Sequence, residues 1–329
     1  MDCWQNLPKI FMSEELRTLS LLGGVTAVGK TDAAIEWAQQ NNAEILCCDS
    51  VSFYRGFDVG SAKPDPEQRK VITHHGLDIC DLETPMDVGL FHQYAHKIIE
   101  EIHRQKKQVL VVGGSGFYLE GFLNPIADEV EVTEEIRQQV QEVFSEGGKE
   151  VALNLLKQMN PQGLGSLDLK NPVRVQRALE RCLASGTSLI ELEDAFQKIP
   201  KPYSQFQKRM IWLDREKEDL EERIERRTKQ MLEAGFVEEV KTLVSQGLEK
   251  NAPLAHAVGY REVLACLKNE LQESDLISAI SLSTRRLAAK QRKWFRKKFA
   301  EGSRMIIPRG QSLDLGNLEW ISDTLPIYL

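Results

Sequence analysis

An apolar run, Leu19-Ser20-Leu21-Leu22-Gly23, passes directly into Gly24-Val25-Thr26-Ala27-Val28-Gly29-Lys30-Thr31. The second stretch has the spacing G-x-x-x-x-G-K-[ST] of a phosphate loop. Its glycines let the backbone bend until successive N–H groups aim at one anion, Lys30 adds a mobile positive charge, and the Thr31 hydroxyl is suited to ligate Mg²⁺. The next residues, Asp32-Ala33-Ala34-Ile35-Glu36-Trp37-Ala38, are good helix formers with apolar side chains at Ala34, Ile35 and Ala38. A helix N-terminus is therefore expected to face the anion. Strand, loop and helix in that order make the match specific.

Further short apolar runs predict more strands: Glu44 to Cys48 as the second, Gln108 to Val112 as the third, Arg209 to Leu213 as the fourth and Arg304 to Ile307 as a fifth. Helical stretches separate them, the pattern of parallel strands covered on both faces. The fold expected is α/β, a P-loop-containing parallel sheet core with ligands at the carboxyl ends of its strands. Between the third and fourth strands the pattern turns helical. Thr133 to Ser145, Lys149 to Met159 and Pro172 to Ala184 read as helices punctuated by Gly147-Gly148, Pro161 and Asn171-Pro172. The organisation expected is an N-terminal extension over 1–17, a core over 18–121 and 207–310, a helical insertion over 122–206, and a C-terminal tail over 311–329. On the third insertion helix Arg174, Arg177 and Arg181 share a face. After the fourth strand, Asp214 reads as the N-cap of a helix carrying Glu221 to Arg227 and ending near Gly235. One of its arginines could reach back to the phosphate site, and spacing alone does not say which.

The net charge of −7 argues against nucleic-acid binding until its distribution is seen. The segment TRRLAAKQRKWFRKK, Thr284 to Lys298, holds eight Lys and Arg and no acid, which leaves −15 on the rest of the chain. One basic face on an acidic remainder suits a polyanionic partner. Six cysteines without a C-x-x-C pair imply reduced thiols and no zinc, as expected in the cytoplasm. Residues 1–16 lack the basic start and apolar core of a signal peptide, and no apolar run is long enough to cross a membrane.

A nucleoside triphosphatase would carry an acid after an apolar strand to hold the Mg²⁺ shell. The third strand ends instead in Gly113-Gly114-Ser115-Gly116, and the available carboxylate is Asp49 after the second strand. The residues therefore suggest group transfer from a Mg²⁺-bound phosphate or diphosphate ester, with Asp49 as general base or positioning acceptor. A carboxylate is a weak base, so it orients a nucleophile more than it deprotonates it early.

The phosphate loop, Asp49-Ser50-Val51-Ser52-Phe53-Tyr54-Arg55-Gly56, Asp58-Val59-Gly60-Ser61-Ala62-Lys63-Pro64, His74-His75-Gly76-Leu77-Asp78, Gly113-Gly114-Ser115-Gly116-Phe117-Tyr118, Val258-Gly259-Tyr260-Arg261 and Thr284 to Gln291 together resemble the bacterial tRNA dimethylallyltransferases, in order and spacing from about Leu19 to Lys298. The resemblance implies that Gly24, Val25, Thr26, Ala27, Val28, Gly29, Lys30 and Thr31 hold the diphosphate of dimethylallyl diphosphate. The prenyl group would pass to the exocyclic amine of adenosine 37, 3′ of the anticodon, in tRNAs reading codons that begin with U. It implies Asp49, Thr31, Ser115 and Arg223 as the catalytic set and Mg²⁺ on Thr31. Contacts to the tRNA anticodon stem-loop would come from Asp49, Ser50, Val51, Ser52, Ser115 and Arg137, from Val173, Arg174, Val175, Gln176 and Arg177, and from His256, Ala257, Val258, Gly259, Tyr260 and Arg261. Arg285, Arg286, Lys290, Arg292 and Lys293 would hold backbone phosphates. A cytoplasmic monomer with no obligate protein partner is expected.

Three positions depart from the family pattern: Val25 replaces proline, Ser115 replaces threonine and keeps its hydroxyl, and Ser52 replaces glutamine and carries no amide to read the adenine region. His74-His75 is expected to be structural or near the substrate, since adjacent side chains cannot easily share a tetrahedral metal site. A small-molecule kinase, a prenyltransferase acting on free adenine nucleotides and a catalytically silent tRNA-binding module are the rival readings. The first two leave the insertion and the basic helix without a purpose, and intact Lys30, Thr31 and Asp49 speak against the third.

Overall fold

The structure is a computed structural model that describes residues 17–128, 130–299, 301–311 and 320–322. The expected N-terminal extension, Arg17 apart, and most of the expected C-terminal tail lie outside the described residues. The chain divides into two compact units, one of residues up to Leu123 and from Tyr203 onward, the other Asn124–Pro202.

The first unit is built on a seven-stranded sheet. Its strands are β1 (Thr18–Gly24), β2 (Ala43–Cys47), β3 (His74–His75), β4 (Gln108–Val112), β5 (Gln207–Arg215), β6 (Arg304–Ile307) and β7 (Ile321–Ser322). The order is β3-β2-β4-β1-β5-β6, all parallel, with β7 antiparallel on β5. The predicted strands are all present, so the core is the expected P-loop α/β sheet. The sequence reading did not identify β3 and β7. Each pairs over two residues, too short for a period-2 pattern to register.

Around the sheet run α1 (Lys30–Gln40), α2 (Pro66–Val71), α3 (Val88–Arg104) and α4 (Gly116–Glu120). The second unit holds α5 (Glu134–Met159), α6 (Pro172–Ser185) and α7 (Leu189–Gln197). The first unit then resumes with α8 (Lys217–Glu233), α9 (Phe236–Ser245), α10 (Ala252–Ala255), α11 (Tyr260–Leu267) and α12 (Leu276–Lys298).

Strand alternation sorts side chains onto two cores. Leu19, Leu21, Leu46, Val109, Val111, Met210 and Trp212 meet Phe91, Ile99 and Phe295 on one face. Leu22, Ile45, Leu110, Ile211 and Leu213 meet Trp37, Ala38, Leu220, Ile224 and Ala288 on the other. Burial on both faces is why these strands read as near-continuous apolar runs. With β1 at the centre between β4 and β5, its carboxyl end opens where connections leave to opposite sides, the position where open α/β sheets take ligands.

In the second unit α5 breaks at Gly148 (φ 64°), between the two helices expected there. Val140, Ala152, Leu156, Val175, Leu179 and Cys182 form a separate core. Asn171 caps α6 through Val173 N–H and Arg174 N–H.

Asp214 is not the N-cap of α8; that position is Glu216, and Asp214 stays in β5. Its fully buried carboxylate receives both Arg292 of α12 and Arg304 of β6, with N–O distances of 2.7 Å each. Those two guanidiniums overcome the opposing effect of burial and hold the carboxyl below its usual range. Removing one partner from a buried charge cluster typically costs about 3–5 kcal/mol. Asp214→Ala is therefore expected to lower the melting temperature by roughly 10 °C. A thermal melt matching the parent's would show the cluster to be dispensable.

Candidate active site at the carboxyl end of the sheet

Gly24 leaves β1 with φ 151°, and a Cβ there would lie 2.8 Å from Leu213 O, so glycine alone fits the turn. Gly29 at φ 103° starts α1, and no side chain of the described residues caps it. Loop N–H groups and a helix N-terminus thus converge on one place. Two arginines pin the loop from outside. Arg215 Nε donates to Val28 O at 2.9 Å while its Nη1 pairs with Asp219 at 2.7 Å; Arg223 Nε donates to Ala27 O at 3.0 Å.

The loop floors a cavity of about 540 Å³, a size suited to a small phosphorylated ligand. Thr26 to Asp32 line it together with Asp49, Ser52, Lys63, His74, Gly113, Gly114, Arg223, Arg226, Arg227 and Gln291. A smaller cavity of about 120 Å³ adjoins it, lined by Val51, Thr228, Met231, Ala257, Val258, Tyr260 and Thr284. Thr26, Ala27, Asp49, Ser61, Arg227 and Leu287 line both.

Lys30 Nζ donates to Gly24 O at 3.0 Å and Val25 O at 2.8 Å. Burial, reinforced by the Arg227 charge and opposed by Asp49, pushes its ammonium down to about 8. The charged form therefore dominates below pH 8 and is lost above it. A bound anion favours the charged amine, so affinity for inorganic diphosphate is expected to fall by up to about tenfold per pH unit from 8 toward 10. A flat titration by calorimetry would remove Lys30 from anion binding.

Asp49 follows β2 through Cys48, whose N–H donates to Val112 O at 2.7 Å. Its own turn is closed by Val51 N–H on Asp49 Oδ1 (3.1 Å) and the Ser52 hydroxyl on Asp49 O (2.9 Å). Ser52, expected to face RNA, is buried and holds this turn. Ser115, between Gly114 and α4, is the N-cap position of that helix and is not among the residues lining either cavity. Arg223 lines the larger cavity, as the resemblance implies, but so does Arg227 one turn on. Arg227 acts electrostatically on Lys30 and feels Asp49 in turn, and its burial lowers its affinity for a proton. The i, i+4 spacing of Arg223 and Arg227 was the available signal. Lys63 was also missed: its side chain is fully buried against Asp78 (2.6 Å), Asp58 (3.0 Å) and Tyr54 O (2.7 Å). His74 lines the larger cavity, and His75 bonds Glu44 at 2.6 Å.

The residues expected to contact RNA divide by burial. Arg286, Lys290 and Lys293 are exposed on α12 at i, i+4 and i+7, one stripe of a helix, with Arg285 half-buried beside them. Arg292 points away from that stripe into Asp214, and so is a structural ion pair. His256 is exposed, Ala257 and Val258 line the smaller cavity, and Arg261 reaches Glu262 and Ser283. Gly259 and Tyr260 are buried, with the Tyr260 hydroxyl on Glu239 at 2.8 Å. In the second unit Val173 and Arg174 are exposed, and Gln176 and Arg177 both bond Glu180. Val175 lies in the core of that unit because it falls on the helix's apolar face, and Arg137 pairs with Glu134 on the surface.

A parallel sheet with this loop at its central strand and a cationic cavity above it defines a P-loop protein. Residues 52–298 match the model of the IPP transferase family, and the chain belongs to that family. It is 45% identical over 287 residues to the tRNA dimethylallyltransferase of Opitutus terrae, spanning 87% of this chain and 92% of that one. To the tRNA dimethylallyltransferase of Clostridioides difficile it is 36% identical, over 85% and 88% of the two chains. Among solved structures it is similar to the full-length tRNA isopentenylpyrophosphate transferase of Bacillus halodurans (TM-score 0.63, 28% identity, 89% of this chain and 90% of that one). It is also similar to a eukaryotic dimethylallyltransferase captured acting on tRNA (TM-score 0.74, 26% identity, 89% and 74%).

Proposed function

We propose that this chain transfers a dimethylallyl group from dimethylallyl diphosphate to the exocyclic amine of adenosine 37, next to the anticodon, in tRNAs reading codons that begin with U. The observation that carries the reading is the sharing of Asp49 and Arg227 by two adjoining cavities, one floored by the phosphate loop and the other lined by Val51, Val258 and Tyr260. A leaving anion and an incoming base need such a junction.

In the reaction the C1–O bond of the allylic diphosphate breaks and its electron pair leaves on the diphosphate. The amine nitrogen forms the new C–N bond and then loses a proton. Loop N–H groups, Lys30, Arg223 and Arg227 stabilise the charge growing on the leaving group. Asp49 accepts a hydrogen bond from the amine, aims its lone pair at the allylic carbon and takes the proton after the bond has formed. Ser115 lines neither cavity, so no contact with the reacting groups is assigned to it.

Among the described residues no group of three or more His, Cys, Asp and Glu could hold a metal ion. Mg²⁺ suits the site in a different way, because it binds through few protein oxygens and fills its shell with phosphate oxygens and water. The Thr31 hydroxyl at the cavity wall would hold it, and it would supply further charge neutralisation on the diphosphate.

In the first unit the basic stripe on α12, with His256 and Arg261, contacts RNA; in the second unit the face of α6 with Val173, Arg174 and Arg177 is a separate RNA-contacting surface. The helical insertion around Asn124–Pro202 serves as an RNA-binding domain. An unpaired base can be swung out of its stack into a pocket at modest cost. No helix among the described residues is long and apolar enough to cross a membrane. A cytoplasmic monomer is part of the same proposal.

Incubation with dimethylallyl diphosphate, Mg²⁺ and unmodified tRNA, followed by nucleoside mass analysis, is expected to give isopentenyladenosine in tRNA alone. Equal transfer to free AMP, or none to tRNA, would overturn the reading.

A further inference from the structure

Gln291 belongs to α12, yet its carboxamide lies inside the phosphate-loop cavity. Its Oε1 accepts the Thr26 N–H at 2.8 Å, and its Nε2 donates to Gly114 O at 3.0 Å. One side chain therefore joins three elements: the loop after β1, the turn after β4, and the helix that carries Arg286, Lys290 and Lys293. The fit is close. A Cβ on Gly114 would lie 2.8 Å from Gln291 Nε2, 3.3 Å from Gly24 O and 3.6 Å from Lys30 Nζ.

The rest of α12 makes this bridge responsive to what the helix touches. Its cationic stripe faces solvent, Leu287 and Gln291 face the cavity, and Ala288 and Phe295 face the two cores. Phe295 stacks on Trp212 with ring centroids 5.3 Å apart, and a Cβ on Gly23 would lie 2.6 Å from its ring. The helix is thus seated against the strand that feeds the phosphate loop. A shift of α12 along its axis carries the Gln291 amide with it, and moves both the Thr26 peptide and the Gly114 turn.

We infer that Gln291 is a positioning residue that couples the two substrates, making the geometry of the diphosphate loop depend on how the RNA-facing helix is seated. This inference rests on the prenyl-transfer reading above. By linkage, if RNA improves the loop's grip on the allylic diphosphate, the diphosphate improves the grip on RNA by the same factor.

The test measures the affinity of a non-transferable thiolo analogue of dimethylallyl diphosphate, alone and with saturating anticodon stem-loop RNA. In the parent protein RNA is expected to tighten analogue binding several-fold. In Gln291→Met, which keeps side-chain length and loses the amide, that ratio is expected to fall to near one, with kcat reduced about tenfold. Should Gln291→Met fail to fold, Gly114→Ala displaces the same amide from the other side and should collapse the ratio equally. A purely structural glutamine would lower the melting temperature and leave the ratio intact, which would overturn the inference, as would a ratio of one in the parent. Prenyl transfer by the parent serves as the control. If the parent transfers and the ratio survives the substitution, this inference falls alone; if it transfers to no tRNA, the underlying reading falls with it.

Discussion

Asp49→Ala is expected to slow single-turnover prenyl transfer by about 100-fold or more while tRNA binding stays close to that of the parent. The expectation follows from where the carboxylate stands. Asp49 lines both cavities, and its turn is held by backbone and hydroxyl contacts from Val51 and Ser52. The alanine variant would lose the acceptor for the amine and one closing bond of that turn, whereas the basic stripe of α12 is unaltered. Asp49→Asn keeps the turn's acceptor and removes the negative charge, so it separates orientation from proton acceptance. Recovery of most of the rate in the asparagine variant would assign orientation as the larger share. Full activity in both variants would remove Asp49 from the reaction.

The second large effect belongs to an arginine that the sequence reading did not choose. Arg227→Ala is expected to lower kcat/KM for dimethylallyl diphosphate by about 100-fold, and Arg223→Ala by roughly tenfold. Arg223 spends its Nε on Ala27 O and so supports the loop from behind, whereas Arg227 interacts electrostatically with Lys30 and Asp49 together. Removing Arg227 also relieves the repulsion that helps depress Lys30, so the pH at which diphosphate affinity declines should move upward in that variant. Steady-state kinetics of both variants, with diphosphate affinity followed from pH 7 to 10, would decide the assignment. Losses in the reverse order would restore Arg223 to the principal role.

These two arginines mark the limit of what sequence makes legible. The phosphate loop and its strands were readable because local chemistry fixes them: glycines permit positive φ, and near-continuous apolar runs require burial on both sheet faces. The helical insertion was readable because its breaks are written in Gly147-Gly148, Pro161 and Asn171-Pro172. Asp214 was misread because an aspartate before a helix is a common N-cap signal, whereas its partners Arg292 and Arg304 lie 78 and 90 residues further along. Val175 and Tyr260 sit in motifs that resemblance assigns to RNA, yet both are buried. Arg174 and Arg261 beside them are exposed, and a motif does not distinguish the residue that touches a ligand from one that holds the backbone for it. Gln291 shows the same limit, since the basic residues around it draw attention to charge while its neutral amide reaches the loop.

The Asp214 cluster also bears on when the molecule becomes competent during its own synthesis. Asp214 leaves the ribosome together with β5, the neighbour of the central strand, but the charges that neutralise it arrive with Arg292 and finally Arg304. Until then a carboxylate destined for complete burial has only the neighbouring Arg215 N–H and no cation, and the strand carrying it is costly to bury. Gln291, which accepts the Thr26 N–H of the phosphate loop, is adjacent to Arg292 and is synthesised with it. The nascent chain therefore has its loop sequence early and its working loop late.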